Sequence, residues 1–160
     1  MAVLQILKMG HPILRKKATR VKNFDEVSEL ILNMKETLKY IGASGLAAPQ
    51  VMVSKRVIVY RVNKNRIPLN AHFKSKPWTF MINPEIIPLS SEKEMFWERC
   101  LSIPGLHAKI PRYSKILIKY FTPDKKLIEH EAHSTWAALI QHEYDHLDGI
   151  LYPMRMKDFT

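Results

Sequence analysis

The sequence has a single cysteine, Cys100, among 160 residues, so no intrachain disulfide can close and a reducing cytosol is the natural compartment. No run of about 18 apolar residues occurs, which excludes a membrane-spanning helix on length. The opening stretch MAVLQILKMGHP has neither a basic start nor a small-residue cleavage site, and it reads as a first strand or extended segment, not a signal peptide. Internal repeats and low-complexity tracts are also missing. Acidic residues are scarce beside basic ones, 15 against 25, for a net charge of +10. The cations are spread along the chain, among them Arg15, Arg20, Arg56, Arg61, Lys109, Arg112 and Lys119. They describe a basic surface that attracts polyanions in a salt-sensitive way. No helix-turn-helix, zinc-knuckle or aromatic stacking signature goes with it, so no dedicated DNA site is expected. Apolar content of 46% is enough for one continuous core, and residues 1–160 are expected to form a single domain.

Periodicity supplies the elements. Residues 11–17, HPILRKK, suit a short helix with Pro12 in its first turn. From Asp25 to Ile41 the apolar residues Val27, Leu30, Ile31, Met34, Leu38 and Ile41 recur at three- and four-residue steps, the stripe of an amphipathic helix. Asn23 or Asp25 can cap it, and Gly42 can end it. Arg56 to Val62, Phe80 to Ile82 (ending before Pro84) and Met95 to Leu101 read as strands. Lys115 to Phe121 and Leu127 to Ala132 form two arms of a hairpin around Thr122-Pro123-Asp124-Lys125. Asn63 to Trp78 is polar, basic and proline-interrupted, and reads as a loop. A last helix starts at Ser134 as cap and runs to Gly149, its first half apolar all round, as for a helix buried mid-domain. Short antiparallel or mixed strands packed around one buried C-terminal helix make an α+β fold.

That helix carries the chemistry. His142-Glu143-Tyr144-Asp145-His146 matches H-E-x-x-H, and positions four apart on a helix share a face, so both imidazoles can bind one metal ion. A glutamate directly after the first histidine can reach a water on that ion. A catalytic metal usually has three protein ligands and an open position. Downstream the chain offers no histidine and two acids, Asp148 directly after the motif and Asp158 near the end, so the third ligand is expected upstream, with Cys100 in Glu98-Arg99-Cys100-Leu101-Ser102-Ile103-Pro104 as the candidate. The small residues of Gly45-Leu46-Ala47-Ala48-Pro49-Gln50 allow close backbone approach, and Gln50 can direct a side-chain N–H at a developing oxyanion. A tight connection between helix and strand is the plainer reading of that stretch.

Taken together, GLAAPQ at 45–50, E-x-CLSIP at 98–104 and QHEYDHLDG at 141–149 resemble the three motifs of the peptide deformylases. The similarity extends to ILKMGHPILRKKA near the N-terminus and INPEI at 82–86. The resemblance implies hydrolytic removal of the N-formyl group from formylmethionine at the start of new polypeptides. Cys100, His142 and His146 would hold one divalent metal, Fe(II) natively, with zinc, nickel or cobalt as replacements. Water activated at that metal would attack the formyl carbon, and Glu143 would carry its proton to the leaving amine. Gln50 and the backbone N–H of Leu101 would stabilise the oxyanion. The backbones of Ser44, Gly45 and Arg99 would pair with the extended substrate. Phe96, Thr135, Ala138 and Leu139 would line the methionine pocket.

The partners implied are a nascent formylmethionyl polypeptide and, through the basic surface, the ribosome. A bacterial cytosol, or an organelle after loss of a transit peptide, is the expected location. The sequence departs from the family pattern at Ala43 and Arg99, where glycines are usual, at His107, where a basic residue is often found, and in ending soon after the third motif. A zinc peptidase is the competing enzymatic reading, supported by H-E-x-x-H and opposed by the cysteine motif. A deformylase-like binding protein is the non-catalytic one, resting on Ala43 and Arg99.

Overall fold

The computed structural model describes residues 2–67 and 74–156, with the side chain of Arg66 excepted. Asp158 and the middle of the expected 63–78 loop therefore lie outside the described residues. The N-terminal residues run extended without joining a sheet. They are tied down where the Leu7 N–H donates to the Gln50 carbonyl (2.7 Å) and the Met9 N–H to the Ser102 carbonyl (2.8 Å). The short helix expected at 11–17 is a single 3-10 turn, Pro12–Arg15, in which His11 Nδ1 accepts from the Ile13 N–H.

Helix α1 (Ser28–Ile41) follows a 3-10 turn at Phe24–Val27. Of the two candidate caps the chain uses Asn23, whose Oδ1 accepts from the Asp25 N–H. Gly42 closes the helix with φ 75°, a left-handed conformation that favours glycine. Strands β1 (Gly45–Ala47), β2 (Val57–Val62), β3 (Lys76–Pro88), β6 (Lys115–Phe121) and β7 (Leu127–His133) form one antiparallel sheet in the order β1-β2-β3-β6-β7. Strand β4 (Lys93–Cys100) pairs with β5 (Ile103–Tyr113) as a separate antiparallel hairpin. Helix α2 spans Ser134–Leu147.

Alternation along β2 explains the layering. Val57 and Val59 pack with Ile31, Met34 and Leu38 of α1, while Ile58 and Tyr60 pack with Ala137, Ile140 and Leu147 of α2. The strand is buried on both faces and therefore reads as an unbroken β-branched run. The β4–β5 hairpin lies against α2 as well, and a third cluster joins its Cys100, Ile103, Ala108 and Ile110 to Leu151 and Tyr152 just after that helix. Helix α2 is thus enclosed, as the apolar first half of its sequence requires, and the architecture is α+β.

Two local readings need correction, and one strand was not anticipated. Strand β3 does not end before Pro84 but continues to Pro88. Pro84 lies in the irregularity between Ile82 and Glu85, where the ladder to β6 shifts and no backbone donor is needed. Asn83 adopts φ 52° there, and its side-chain amide holds the Val21 backbone through two bonds of 2.8 and 2.9 Å. Ser134 does not cap α2: it is the first helical residue at φ 50°, and its hydroxyl donates to Glu94 Oε2 instead. Strand β5, with Pro104, Gly105 and Pro111, has too many breakers for its sequence to signal a strand. They are tolerated because, among the described residues, β4 is its one partner strand.

Candidate active site

Two elements and one turn converge on a cleft of about 970 Å³ between the β1 edge and the β4–β5 hairpin. Residues four apart on α2 bring the His142 and His146 rings to 5.2 Å centroid separation, and Cys100 at the end of β4 meets them. Ligand atoms of these three buried residues all lie within 4.8 Å of one another, with Cys100 Sγ 3.3 Å from His146 Nε2. A thiolate and two imidazoles at that spacing suit one borderline-soft divalent ion with a position left open.

The charges around this cluster fit a cation. His142 Nδ1 is bonded to Glu98 Oε1 at 2.7 Å, which fixes the ring and leaves the other nitrogen for a ligand bond. Burial pushes His142 down, but its bonds to Cys100 and Glu98 and the nearby Glu143 charge outweigh that and raise it to about 10. Glu98 is opposed by burial yet held below the ordinary carboxylate range by hydrogen bonds from Arg112 and His142. Burial and the repulsion of His142 and Arg112 keep His146 well below its ordinary value, hence a neutral ligand. A site that draws a proton onto one buried histidine is one that a divalent ion can occupy in the proton's place.

Glu143 lies on the same turn of α2, 4% exposed, with Oε2 free of any hydrogen-bond partner among the described residues. Burial lifts its carboxyl to about 7, a value suited to exchanging protons near neutral pH. Gln50 sits in the 3-10 turn Ala48–Val51 after β1. Its Oε1 accepts from the Ala47 N–H at 3.0 Å, so the amide orientation is set and Nε2 must face Cys100 Sγ (3.6 Å) and Ser102 Oγ (3.2 Å). Leu101 lines the cleft, its carbonyl accepting from Lys8 Nζ. Ser44, Gly45 and Arg99 stand on the two facing edges, and Phe96, Thr135, Ala138 and Leu139 line the same cavity. Every site residue expected from sequence is therefore at this one place, with His146 beneath the cleft and the others on its wall.

Comparison with known proteins agrees with this geometry. The chain matches the family model described as polypeptide deformylase over residues 3–160. Peptide deformylase 1 of Bordetella pertussis is 42% identical over 158 residues, covering 97% of this chain and 88% of the relative. The chain belongs to the polypeptide deformylase family. Among solved structures, the class I type b peptide deformylase of Acinetobacter baumannii superposes with a TM-score of 0.90 at 34% identity, covering 98% of this chain and 100% of the other. The same enzyme with Met-Ala-Ser bound gives a TM-score of 0.84 at 34% identity, over 96% of this chain and 98% of the other. The zinc-peptidase reading finds no support in these relatives. As a deformylase, the protein is a metal-dependent hydrolase that removes N-formyl groups from new polypeptides.

Sequence reasoning missed the deformylase site's support. Arg112 was assigned to the basic surface, but it is 3% exposed and lies at the centre of a buried ionic chain. It donates to Glu98 through Nε (2.7 Å) and Nη2 (2.8 Å), and to Asp145 through Nη1 (2.6 Å). Arg155 clamps Asp145 from the other side at 2.6 and 2.8 Å. The signal that could have found Arg112 is its place two residues after Ile110 and four after Ala108, on the inward face of β5.

Proposed function

We infer that the cleft is the active site, with Cys100, His142 and His146 holding one divalent ion, Fe(II) as the resident metal, and zinc, nickel or cobalt able to replace it. The supporting observation is the convergence of those three ligand atoms beside the buried, half-unpartnered carboxylate of Glu143. When bound, the ion supplies a Lewis acid and lowers the pKa of water beside it. Glu143 accepts the proton of the attacking water and returns it to the departing amine nitrogen, so that water and formamide become formate and a free amine. Gln50 Nε2 and the Leu101 N–H donate to the oxygen that gains charge as the formyl carbon becomes tetrahedral. Because Oε1 is already committed to Ala47, Gln50 cannot turn its carbonyl toward that oxygen.

Among the described residues both walls of the cleft are sheet edges: β1 ends one sheet, and β4 is paired with β5 alone. An extended peptide that adds a strand between them bonds the backbones of Ser44, Gly45 and Arg99, as strand addition generally does. The apolar wall of Phe96, Ala138 and Leu139, with Thr135, takes the methionine side chain. This reading suits the Met-Ala-Ser peptide seen in the Acinetobacter baumannii relative. Residues 1–160 act as one catalytic domain in a bacterial or organellar cytosol, and the net charge of +10 favours encounter with ribosomal RNA. No helix among the described residues is long and apolar enough to cross a membrane.

The test is Glu143→Ala, which is expected to abolish formate release while the protein keeps its stoichiometric metal. Turnover that persists in metal-replete Glu143→Ala would remove Glu143 from the mechanism.

A further inference from the structure

Two cations face the open part of the cleft, and no exposed acid on its lining answers them. Along β4 the side chains alternate: Glu98 and Cys100 turn inward, whereas Trp97 and Arg99 turn to solvent. Arg99 lines the cleft, and among the described residues it makes no ion pair and no side-chain hydrogen bond. Lys8 reaches the same cavity from the N-terminal segment, its ammonium bonded at 3.1 Å to a neutral group, the Leu101 carbonyl. The carboxylates of the lining are those of Glu98 and Glu143, 8% and 4% exposed. Glu98 is spent on Arg112 and His142, and Glu143 lies under the reacting centre. The accessible field of the cleft mouth is therefore positive.

Resting on the deformylase reading, we propose that Arg99 and Lys8 make this cleft selective for formylated peptides carrying aspartate or glutamate in the residues just after methionine. A strand laid along β4 carries those residues past Arg99, on the edge whose backbone it pairs with. Exposed charge pairs are individually weak and screened by salt. Their contribution is to selectivity and encounter rate more than to tight binding. A preference in kcat/KM of about three- to tenfold for acidic over isosteric amide side chains is the expected size at low salt.

The experiment compares formate release from formyl-Met-Asp-Glu, formyl-Met-Asn-Gln and formyl-Met-Lys-Lys peptides by the metal-replete enzyme. It is repeated with Arg99→Gln, Lys8→Gln and the double variant, at low salt and at about 0.5 M salt, where the screening length falls to a few ångströms. The expected order is acidic, then amide, then basic, with an acidic-to-amide ratio that shrinks in salt and in each single variant and approaches one in the double. A ratio near one in the wild type at low salt, or one unchanged by salt and by either variant, would overturn the proposal while the amide peptide still releases formate. Failure of every peptide, the amide one included, would instead overturn the deformylase reading and this selectivity with it. The salt series on the wild type decides the matter even where a variant does not fold.

Discussion

At Gly45 the missing side chain answers to Glu143: a Cβ there would stand 2.7 Å from Glu143 Oε1 and 3.1 Å from its Cγ. Gly45→Ala therefore has to displace the carboxylate proposed as the proton carrier. The expected result is a loss in kcat of about 10- to 100-fold, part of what a positioned base contributes. The melting temperature should move little, because the atoms that yield belong to a flexible side chain. Steady-state kinetics beside a thermal melt check this, and an unchanged kcat would show that Glu143 works from another rotamer. Glu98→Gln keeps the shape but removes the charge that orients His142. Metal affinity is expected to fall about 10- to 100-fold, measured by competition with a chelator. The same change leaves Arg112 short of a counter-charge and costs about 3–5 kcal/mol of stability, as broken buried pairs do. Unaltered metal affinity would mean that the Glu98–His142 bond is incidental. Cys100 stood out only as the upstream candidate and Gln50 only through the family resemblance, whereas the grouping of His142, Glu143 and His146 was legible in sequence, because H-E-x-x-H on a helix is a compact motif whose spacing is itself the chemistry. Arg112 was not, since its partners Glu98 and Asp145 stand 14 and 33 positions away and nothing local distinguishes it from a surface cation.

Among the elements, helix α2 holds both histidines, and its C-terminal end is anchored from several sides. Arg56 Nη1 donates to the Leu147 carbonyl at 2.9 Å, and Arg56 Nη2 pairs with Asp148 at 3.0 Å, a cation where the helix dipole is negative. Gly149, at φ 73°, passes so close to the 3-10 turn that a Cβ would meet the Arg15 carbonyl oxygen at 2.5 Å. Gly149→Ala is expected to cost at least about 1–3 kcal/mol from the backbone conformation, with the steric conflict in addition. For a chain of this size each kcal/mol lowers the melting temperature by about 2–4 °C. A wild-type melt for Gly149→Ala would contradict the close packing of helix end on turn. Helices α1 and α2 and strands β2, β6 and β7 were readable because their apolar periods match what they bury. Strand β5 was hidden by its prolines and glycine, and the length of β3 by Pro84. In both, tertiary pairing at an edge or irregularity overrides local propensity.

For the molecule as a whole, the site ties the two sheets together: Cys100 comes from the β4–β5 hairpin and the histidines from the helix packed on the larger sheet. An ion that binds this assembled cluster and not the unfolded chain stabilises the fold by mass action, about 2.7 kcal/mol at a free concentration one hundred times Kd. Chelation is therefore expected to lower the melting temperature measurably, and readdition of metal to restore it, by calorimetry. The same change in Cys100→Ala should be absent or much smaller. The central claim, however, is hydrolysis of a formyl group at this cluster. Its most direct test is formate release from formyl-Met-Ala-Ser by protein loaded anaerobically with Fe(II), or with nickel, set beside Cys100→Ala. Robust release by the wild type that disappears in the variant is the predicted result. No release from folded, metal-replete wild type, or undiminished release from Cys100→Ala, would contradict it.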